Sequence, residues 1–244
     1  ATPVTTRCGS RGSGHGVRRA GLASLFMDKP AVFAGKYPPS ERTFRGAISM
    51  RLASGGADVD DLVEDFTALA VAFDDYFPDD APVDPADVPG IVDEVVAEYQ
   101  RVVTTMSPDA LALMTALEST FRAGILFSYG DADEPADAME YLADACGAIE
   151  AEGGRLRGYL YALEGDLDEL VLHQRLQLQF GTFDADSSAV GELAEEAVRL
   201  LREAELAASW SGNQDDPIVV EPMLVDAPLV LADDDEDDHG GHHH

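Results

Sequence analysis

The chain has 244 residues, with 47 acidic and 16 basic side chains and a formal net charge of −31 at neutral pH. Its apolar content of 45% is enough to bury a hydrophobic core. The shortage of lysine and arginine argues against nucleic acid and anionic membrane surfaces as partners, because phosphate contacts need clustered basic side chains.

Residues 1–27 differ in composition from the rest of the chain. They contain four arginines, including the adjacent Arg18 and Arg19, and no acidic residue, so the acid excess falls entirely on the remainder. That excess destabilises a compact chain unless salt screens it, which indicates the salt-rich cytoplasm of a halophile. Residues 1–27 are either a twin-arginine export signal or a basic disordered or mis-assigned extension before Met27. We favour the extension, because only eight mostly apolar residues follow Arg19.

The first half of the remaining chain has the apolar spacing of amphipathic helices from Ser40 onward. Asp58 is expected to cap one helix. A Pro- and Asp-rich linker over residues 78–89 precedes the next helix. Ser107 is expected to cap a later one that has Pro108 in its first turn. The predicted buried stripes contain Phe44, Ile48 and Leu52, then Leu62, Phe66 and Phe73, then Ile91, Val95 and Tyr99, and then Leu113, Met114, Leu117, Phe121 and Ile125.

The second half continues this pattern. Residues 156–163 have the apolar spacing of a short helix, and residues 176–180 alone alternate as a strand would. Residues 213–232 are apolar but broken by three prolines, which predicts an extended arm rather than a paired strand. The sequence therefore predicts an all-α fold, a single bundle of about seven to eight helices over residues 28–212, followed by the arm and a disordered acidic tail over residues 233–244.

Catalytic and cofactor-binding motifs are absent from the sequence. It has no glycine-rich phosphate loop, no GxSxG elbow, no HExxH and no CxxC. Its two cysteines, Cys8 and Cys146, indicate neither a disulfide framework nor a metal site, which fits a reducing cytoplasm. No apolar run approaches the roughly 18 residues that a membrane span requires. We predict a soluble cytoplasmic protein that is not an enzyme and has no cofactor.

The tail contains the one candidate metal site. His239, His242, His243 and His244 follow a run of six acidic residues. Imidazoles on such a tether can bind nickel, cobalt, zinc or copper. A metal-handling protein, a purification tag and a solubilising tail all remain open.

Two short stretches resemble a known family. Glu134-Pro135-Ala136-Asp137, at a predicted helix start, is similar to the Glu-Pro-x-Asp-His signature of the TorD/DmsD/NarJ group of molybdoenzyme maturation chaperones, with Ala138 in place of the histidine. Glu98 to Val103 is similar to the Tyr-x-x-Leu-Phe stretch that precedes this signature in the family. The resemblance implies an all-helical cytoplasmic chaperone. It also implies that Glu134, Pro135, Asp137 and Tyr99 contact the client.

The function that this resemblance implies is binding of the twin-arginine leader of a molybdopterin oxidoreductase of the DMSO, TMAO or nitrate reductase type. The chaperone would hold this precursor of the catalytic subunit until its molybdenum cofactor is in place. An acidic protein with an apolar groove complements a leader that combines two guanidinium groups with an apolar segment. The alternatives are a helical adaptor or regulator without a redox client, and metal handling by the tail. A homodimer is left open.

Overall fold

The computed structural model describes residues 29–55, 58–78, 80–183 and 188–229, and their fold is mixed α/β. The prediction of an all-α bundle is therefore wrong, because a five-stranded sheet forms the centre of the second half of the chain. The basic residues 1–27 and the His-rich residues 233–244 lie outside the described residues.

Helices dominate the first half of the chain, and helices and strands alternate in the second. The α-helices of the described residues are α1 (Phe44–Ser54), α2 (Val59–Val71), α3 (Phe73–Tyr76), α4 (Val88–Val102), α5 (Pro108–Arg122), α6 (Pro135–Ala151), α7 (Glu164–His173) and α8 (Ser188–Glu203). The strands are β1 (Ile125–Tyr129), β2 (Gly158–Ala162), β3 (Leu176–Thr182), β4 (Ala208–Ser209) and β5 (Ile218–Val220). Short 3-10 helices occupy Ala31–Ala34 and Pro85–Asp87.

Two helix starts agree with the sequence analysis. The Asp58 carboxylate accepts a hydrogen bond of 2.8 Å from the Asp60 N–H at the start of α2. The Ser107 hydroxyl accepts one of 3.2 Å from the Ala110 N–H, with Pro108 in the first turn of α5. Both are helix N-caps, in which a side-chain oxygen satisfies an otherwise unpaired backbone donor. None of the helices in the described ranges is long and apolar enough to cross a membrane.

The strands explain where the all-α prediction failed. Gly124, at a φ of +77°, ends the turn after α5, so that Ile125 begins β1 instead of extending the helical stripe. In β2 the buried residues are Gly158, Leu160 and Ala162, with a half-buried tyrosine between each pair, which is the two-residue period of a strand. A five-residue apolar segment contains too few residues for its period to be read reliably from sequence.

The predicted arm also joins the sheet. Within residues 213–232, strand β5 pairs antiparallel with both β3 and β4, so this part of the arm is a paired strand. Pro217 and Pro222 stand on either side of the three-residue strand, outside the ladder. The prolines therefore limit the length of the strand without removing a hydrogen-bond donor from it.

The described residues have two hydrophobic cores. The first joins the 3-10 helix at Ala31–Ala34 to α1 to α4, and the second lies between the sheet and α5, α7 and α8. Helix α7 connects them, because Val171 belongs to the first core while Leu167 and Leu170 belong to the second. Strands β1 and β2 are parallel and joined through α6, so their carboxyl ends meet at the edge of the sheet that faces α1 and α2.

Candidate functional site

The candidate site is a cleft at the carboxyl ends of β1 and β2, where ligands commonly bind to parallel sheets. It consists of two adjoining cavities of about 420 and 140 Å³. Arg51, Asp65, Gly130 and Glu164 line both of them. We call this site the acidic cleft, and its remaining lining residues include Asp58, Asp61, Phe66, Leu69, Tyr129, Asp131 and Asp133.

The loop after β1 shapes one wall of the acidic cleft. Gly130 has a φ of +73°, a conformation that strains residues with a side chain, and a Cβ at this position would also displace the end of the Leu167 side chain, so glycine is favoured here. The Asp131 carboxylate turns back to accept hydrogen bonds from the Ser128 hydroxyl at 2.8 Å and from the Tyr129 N–H at 3.0 Å. These contacts hold the loop so that Asp133 can meet Glu164 at the start of α7.

Glu164 contacts both the arginine and a second carboxyl group of the cleft. Glu164 forms an ion pair with Arg51 of α1, and its protonated carboxyl donates a hydrogen bond to the Asp133 carboxylate. Burial and the Asp133 contact raise the pKa of Glu164 to about 7, although the Arg51 guanidinium acts in the opposite direction. The side chains of Glu164 and Arg51 are 31% and 28% exposed, so this group is half-buried and still reachable from solvent.

Two further carboxyls of α7 lie behind Glu164. Burial raises the pKa of Asp166, whose carboxylate accepts a hydrogen bond of 2.9 Å from the Leu163 N–H. Burial also raises the pKa of Asp168, and the Arg51 guanidinium opposes this shift. Arg51 is therefore the shared cation of a crowded set of carboxyls.

Tyr129 and apolar side chains form the rest of the lining. The Tyr129 hydroxyl donates a hydrogen bond of 3.1 Å to the Ser54 carbonyl at the end of α1, and burial raises its pKa. Ala68 and Leu69 of α2 add apolar surface. The cleft thus combines several carboxylates, one arginine and an apolar wall, which suits a cationic group carried on an apolar chain. No group of three or more metal-ligating side chains is found within the described residues.

The predicted client-binding residues lie in two different places. Glu134 is the residue before α6, Pro135 opens this helix and Asp137 lies in its first turn, and all three are exposed. Glu134 directly follows Asp133 along the chain, but none of the three residues lines the acidic cleft. Tyr99, by contrast, is 2% exposed in the helical core, where its hydroxyl donates a hydrogen bond of 2.8 Å to the Ala227 carbonyl.

Burial raises the pKa of Tyr99, as expected for a packed phenol. We therefore leave Tyr99 out of the proposed binding site. The candidate metal ligands His239, His242, His243 and His244 lie outside the described residues.

Sequence reasoning missed Arg51, Asp65, Asp133 and Glu164. One signal was present in the sequence: Arg51 is the last basic residue before a stretch, residues 52–100, that has none. An arginine at the border of a long stretch without basic residues is a candidate for a specific ion pair. Its partner could not be read from the sequence, because Glu164 is more than a hundred positions away along the chain.

The raised pKa of Glu164 predicts a pH effect on stability. Folding raises this pKa from 4.5 to about 7, so the folded state holds the proton more tightly than the unfolded state does. The stabilisation from this group is complete below about pH 4.5 and is lost as the pH rises through about 7.

We expect the wild-type protein to lose about 1 kcal/mol relative to Glu164→Gln between about pH 5 and pH 8, since glutamine does not ionise and solvent screens this half-open site. Chemical denaturation in molar KCl at both pH values measures the difference. A difference between the two proteins that is independent of pH would contradict the prediction.

The chain was compared with known proteins and families. No curated protein and no solved structure matches it. A family model does match, over residues 38–226, which include every residue that lines the acidic cleft. The chain therefore belongs to the family DUF6891, whose model is described as a domain of unknown function.

Proposed function

We propose that this protein is a cytoplasmic chaperone that binds the twin-arginine leader of a molybdopterin oxidoreductase precursor, with a leader arginine held in the acidic cleft. The observation that carries the proposal is the contact between Glu164, Asp133 and Arg51 in an open, carboxylate-lined cavity. The Glu-Pro-x-Asp resemblance at residues 134–137 supports it, because this stretch begins directly after Asp133, which lines the cavity.

The proposal does not depend on an all-helical fold. The resemblance implied an all-helical protein, and the sheet removes that line of support. The remaining support for arginine binding comes from the side chains that line the acidic cleft. Arg51 already demonstrates that the Glu164 carboxylate accepts a guanidinium group at this position, and Asp65 and Asp131 add negative charge around it.

Arginine suits this cleft better than lysine does. A guanidinium group is planar, presents several N–H donors in a fixed geometry, and is more weakly hydrated than an ammonium group. It can bridge two carboxyls such as Asp133 and Glu164 while its aliphatic stem packs on Ala68 and Leu69. In molar salt, attraction over long distances is screened, so close and partly desolvated contacts of this kind must supply the selectivity.

Binding of a leader peptide tests the proposal. A synthetic leader with two adjacent arginines followed by an apolar segment is titrated into the protein in molar KCl by calorimetry. We expect replacement of both arginines by glutamine to weaken binding at least about tenfold, the loss typical of a charged hydrogen bond. A peptide with two lysines should fall between them. Equal binding of the arginine and glutamine peptides would refute the role of the carboxyls.

A further inference from the structure

Arg51 stands in the acidic cleft where a ligand cation would be held. It lines both cavities and pairs with Glu164, one of the two carboxyls that the proposed function assigns to a leader arginine. A ligand guanidinium that bridges Asp133 and Glu164 therefore meets Arg51 at the same carboxyl. Two guanidinium groups side by side repel each other, so the ligand and Arg51 compete for Glu164.

A single ion pair at a partly exposed site holds the Arg51 guanidinium. The Arg51 side chain is 28% exposed, and Glu164 is the one carboxyl within ion-pair distance of it among the described residues. Ion pairs that water can reach contribute little free energy, because water and salt compete for both charges. Arg51 can therefore leave Glu164 when another contact compensates for the loss.

Helix α2 offers such a contact within the same cleft. Asp65 lines both cavities together with Arg51, and Asp61, one turn earlier on α2, lines the smaller one. Both aspartates are exposed, and neither pairs with a basic side chain in the part of the chain that the structure describes. Asp65 can thus accept the Arg51 guanidinium without requiring Arg51 to leave the cleft.

We propose that Arg51 is an internal competitor for the acidic cleft: a ligand guanidinium replaces it at Glu164, and Arg51 moves across the cavity to Asp65. The exchange rests on the function proposed above, because it describes how the same cleft takes up a leader arginine. It keeps a cation at Glu164 and adds one at Asp65, so no carboxyl loses its partner.

The exchange limits the affinity of the cleft. The ligand binds only when Arg51 has left Glu164, and the apparent affinity is lowered by the fraction of molecules in that state. Such a limit suits a chaperone, which has to release its client later. The role of Asp65 is then indirect, since its carboxylate contacts Arg51 and not the ligand.

Replacement of Arg51 tests the exchange. The leader peptide with two adjacent arginines is titrated by calorimetry in molar KCl into the wild type and into Arg51→Met, which keeps the length of the stem without the charge. We expect the variant to bind about tenfold more tightly, because the ligand no longer displaces a charged hydrogen-bond donor. Thermal unfolding verifies that the variant is folded.

Arg45→Met is the matched control. It removes a positive charge from the same helix, about 9 Å away along the axis, where Arg45 pairs with Glu94 of α4. This distance is about three Debye lengths in molar salt, so the peptide should bind Arg45→Met as it binds the wild type.

A double-mutant cycle with Asp65 separates the exchange from simple repulsion between two cations, which would also favour binding to Arg51→Met. If Arg51 moves to Asp65, Asp65→Asn should weaken peptide binding about threefold in the wild-type background, the usual size of an exposed ion pair. In the Arg51→Met background the same change should have no effect.

The arginine side-chain N–H signals in the NMR spectrum of nitrogen-15-labelled wild type provide a direct readout. The Arg51 Nε–H signal, assigned with Arg51→Lys, should shift when the peptide binds. An unmoved signal, unchanged or weaker binding to Arg51→Met, or an equal effect of Asp65→Asn in both backgrounds would each overturn the exchange and leave the proposed function standing. Failure of the peptide to bind both the wild type and Arg51→Met would refute the proposed function and the exchange together.

Discussion

Replacement of Phe44 by alanine is expected to lower the free energy of unfolding by about 3–5 kcal/mol, the usual cost of truncating a buried phenylalanine. The Phe44 side chain is fully buried, and its ring centroid lies 5.4 to 5.7 Å from those of Phe66, Phe73 and Phe77. Alanine would remove the ring that these three share. The cavity would open in the helical core, where few polar groups could take in water.

The effect should reach the acidic cleft, because Phe44 begins the helix that ends near Arg51. Tyr76→Ala is the matched control: this ring is 55% exposed on α3, and its loss should cost no more than about 1 kcal/mol. Chemical denaturation of both variants in molar KCl gives the comparison. If Phe44→Ala and Tyr76→Ala lowered the free energy of unfolding equally, the contacts of Phe44 with Phe66, Phe73 and Phe77 would not stabilise this core more than an exposed ring does.

The helical half of the fold could be predicted from the sequence to a large extent. The stripe containing Leu62, Phe66 and Phe73 extends over several turns, and Asp58 caps the helix that begins it. Long amphipathic helices repeat their period often enough to be recognised, and cap residues have a local chemical cause. Both signals lie within short stretches of chain.

The sheet could not be predicted in the same way, because its strands are short and its partners are distant. Strand β5 has three residues and depends on pairing with Leu176 to Leu178 of β3, about forty positions earlier. Gly158 fits β2 because a Cβ there would meet Leu193 of α8 and the backbone of Gly181 in β3. Such constraints appear only when the tertiary structure brings these segments together.

In the candidate site too, a short sequence motif could be recognised, whereas contacts between residues far apart in the chain could not. The sequence pointed to Glu134 and Asp137 through a local motif, and Glu134 directly follows Asp133, which lines the cavity. The cavity itself is made by Arg51, Asp65, Asp133 and Glu164, which come from separate parts of the chain. In a protein with 47 acidic residues, no composition argument could single out two of these carboxyls.

Neutralisation of the cleft carboxyls is expected to have the largest effect on leader binding. We expect Glu164→Gln and Asp133→Asn each to weaken binding of the two-arginine peptide about tenfold, because each removes a charged hydrogen bond to a guanidinium group. The two effects should not add, since the carboxyls touch each other and share one ligand group. Asp144→Asn, an exposed aspartate of α6, is the matched control and should bind like the wild type.

Asp137→Asn distinguishes the cleft from the helix start that the sequence motif indicated. Asp137 is exposed in the first turn of α6, so its contribution to binding should be screened in molar salt and stay below about threefold. Calorimetry with the arginine and glutamine peptides on each variant separates the two positions. If Asp137→Asn abolished the preference for arginine while Asp133→Asn and Glu164→Gln kept it, the leader arginines would bind at the start of α6. The half-buried contact of Arg51, Asp133 and Glu164 would then be a structural link between α1 and α7.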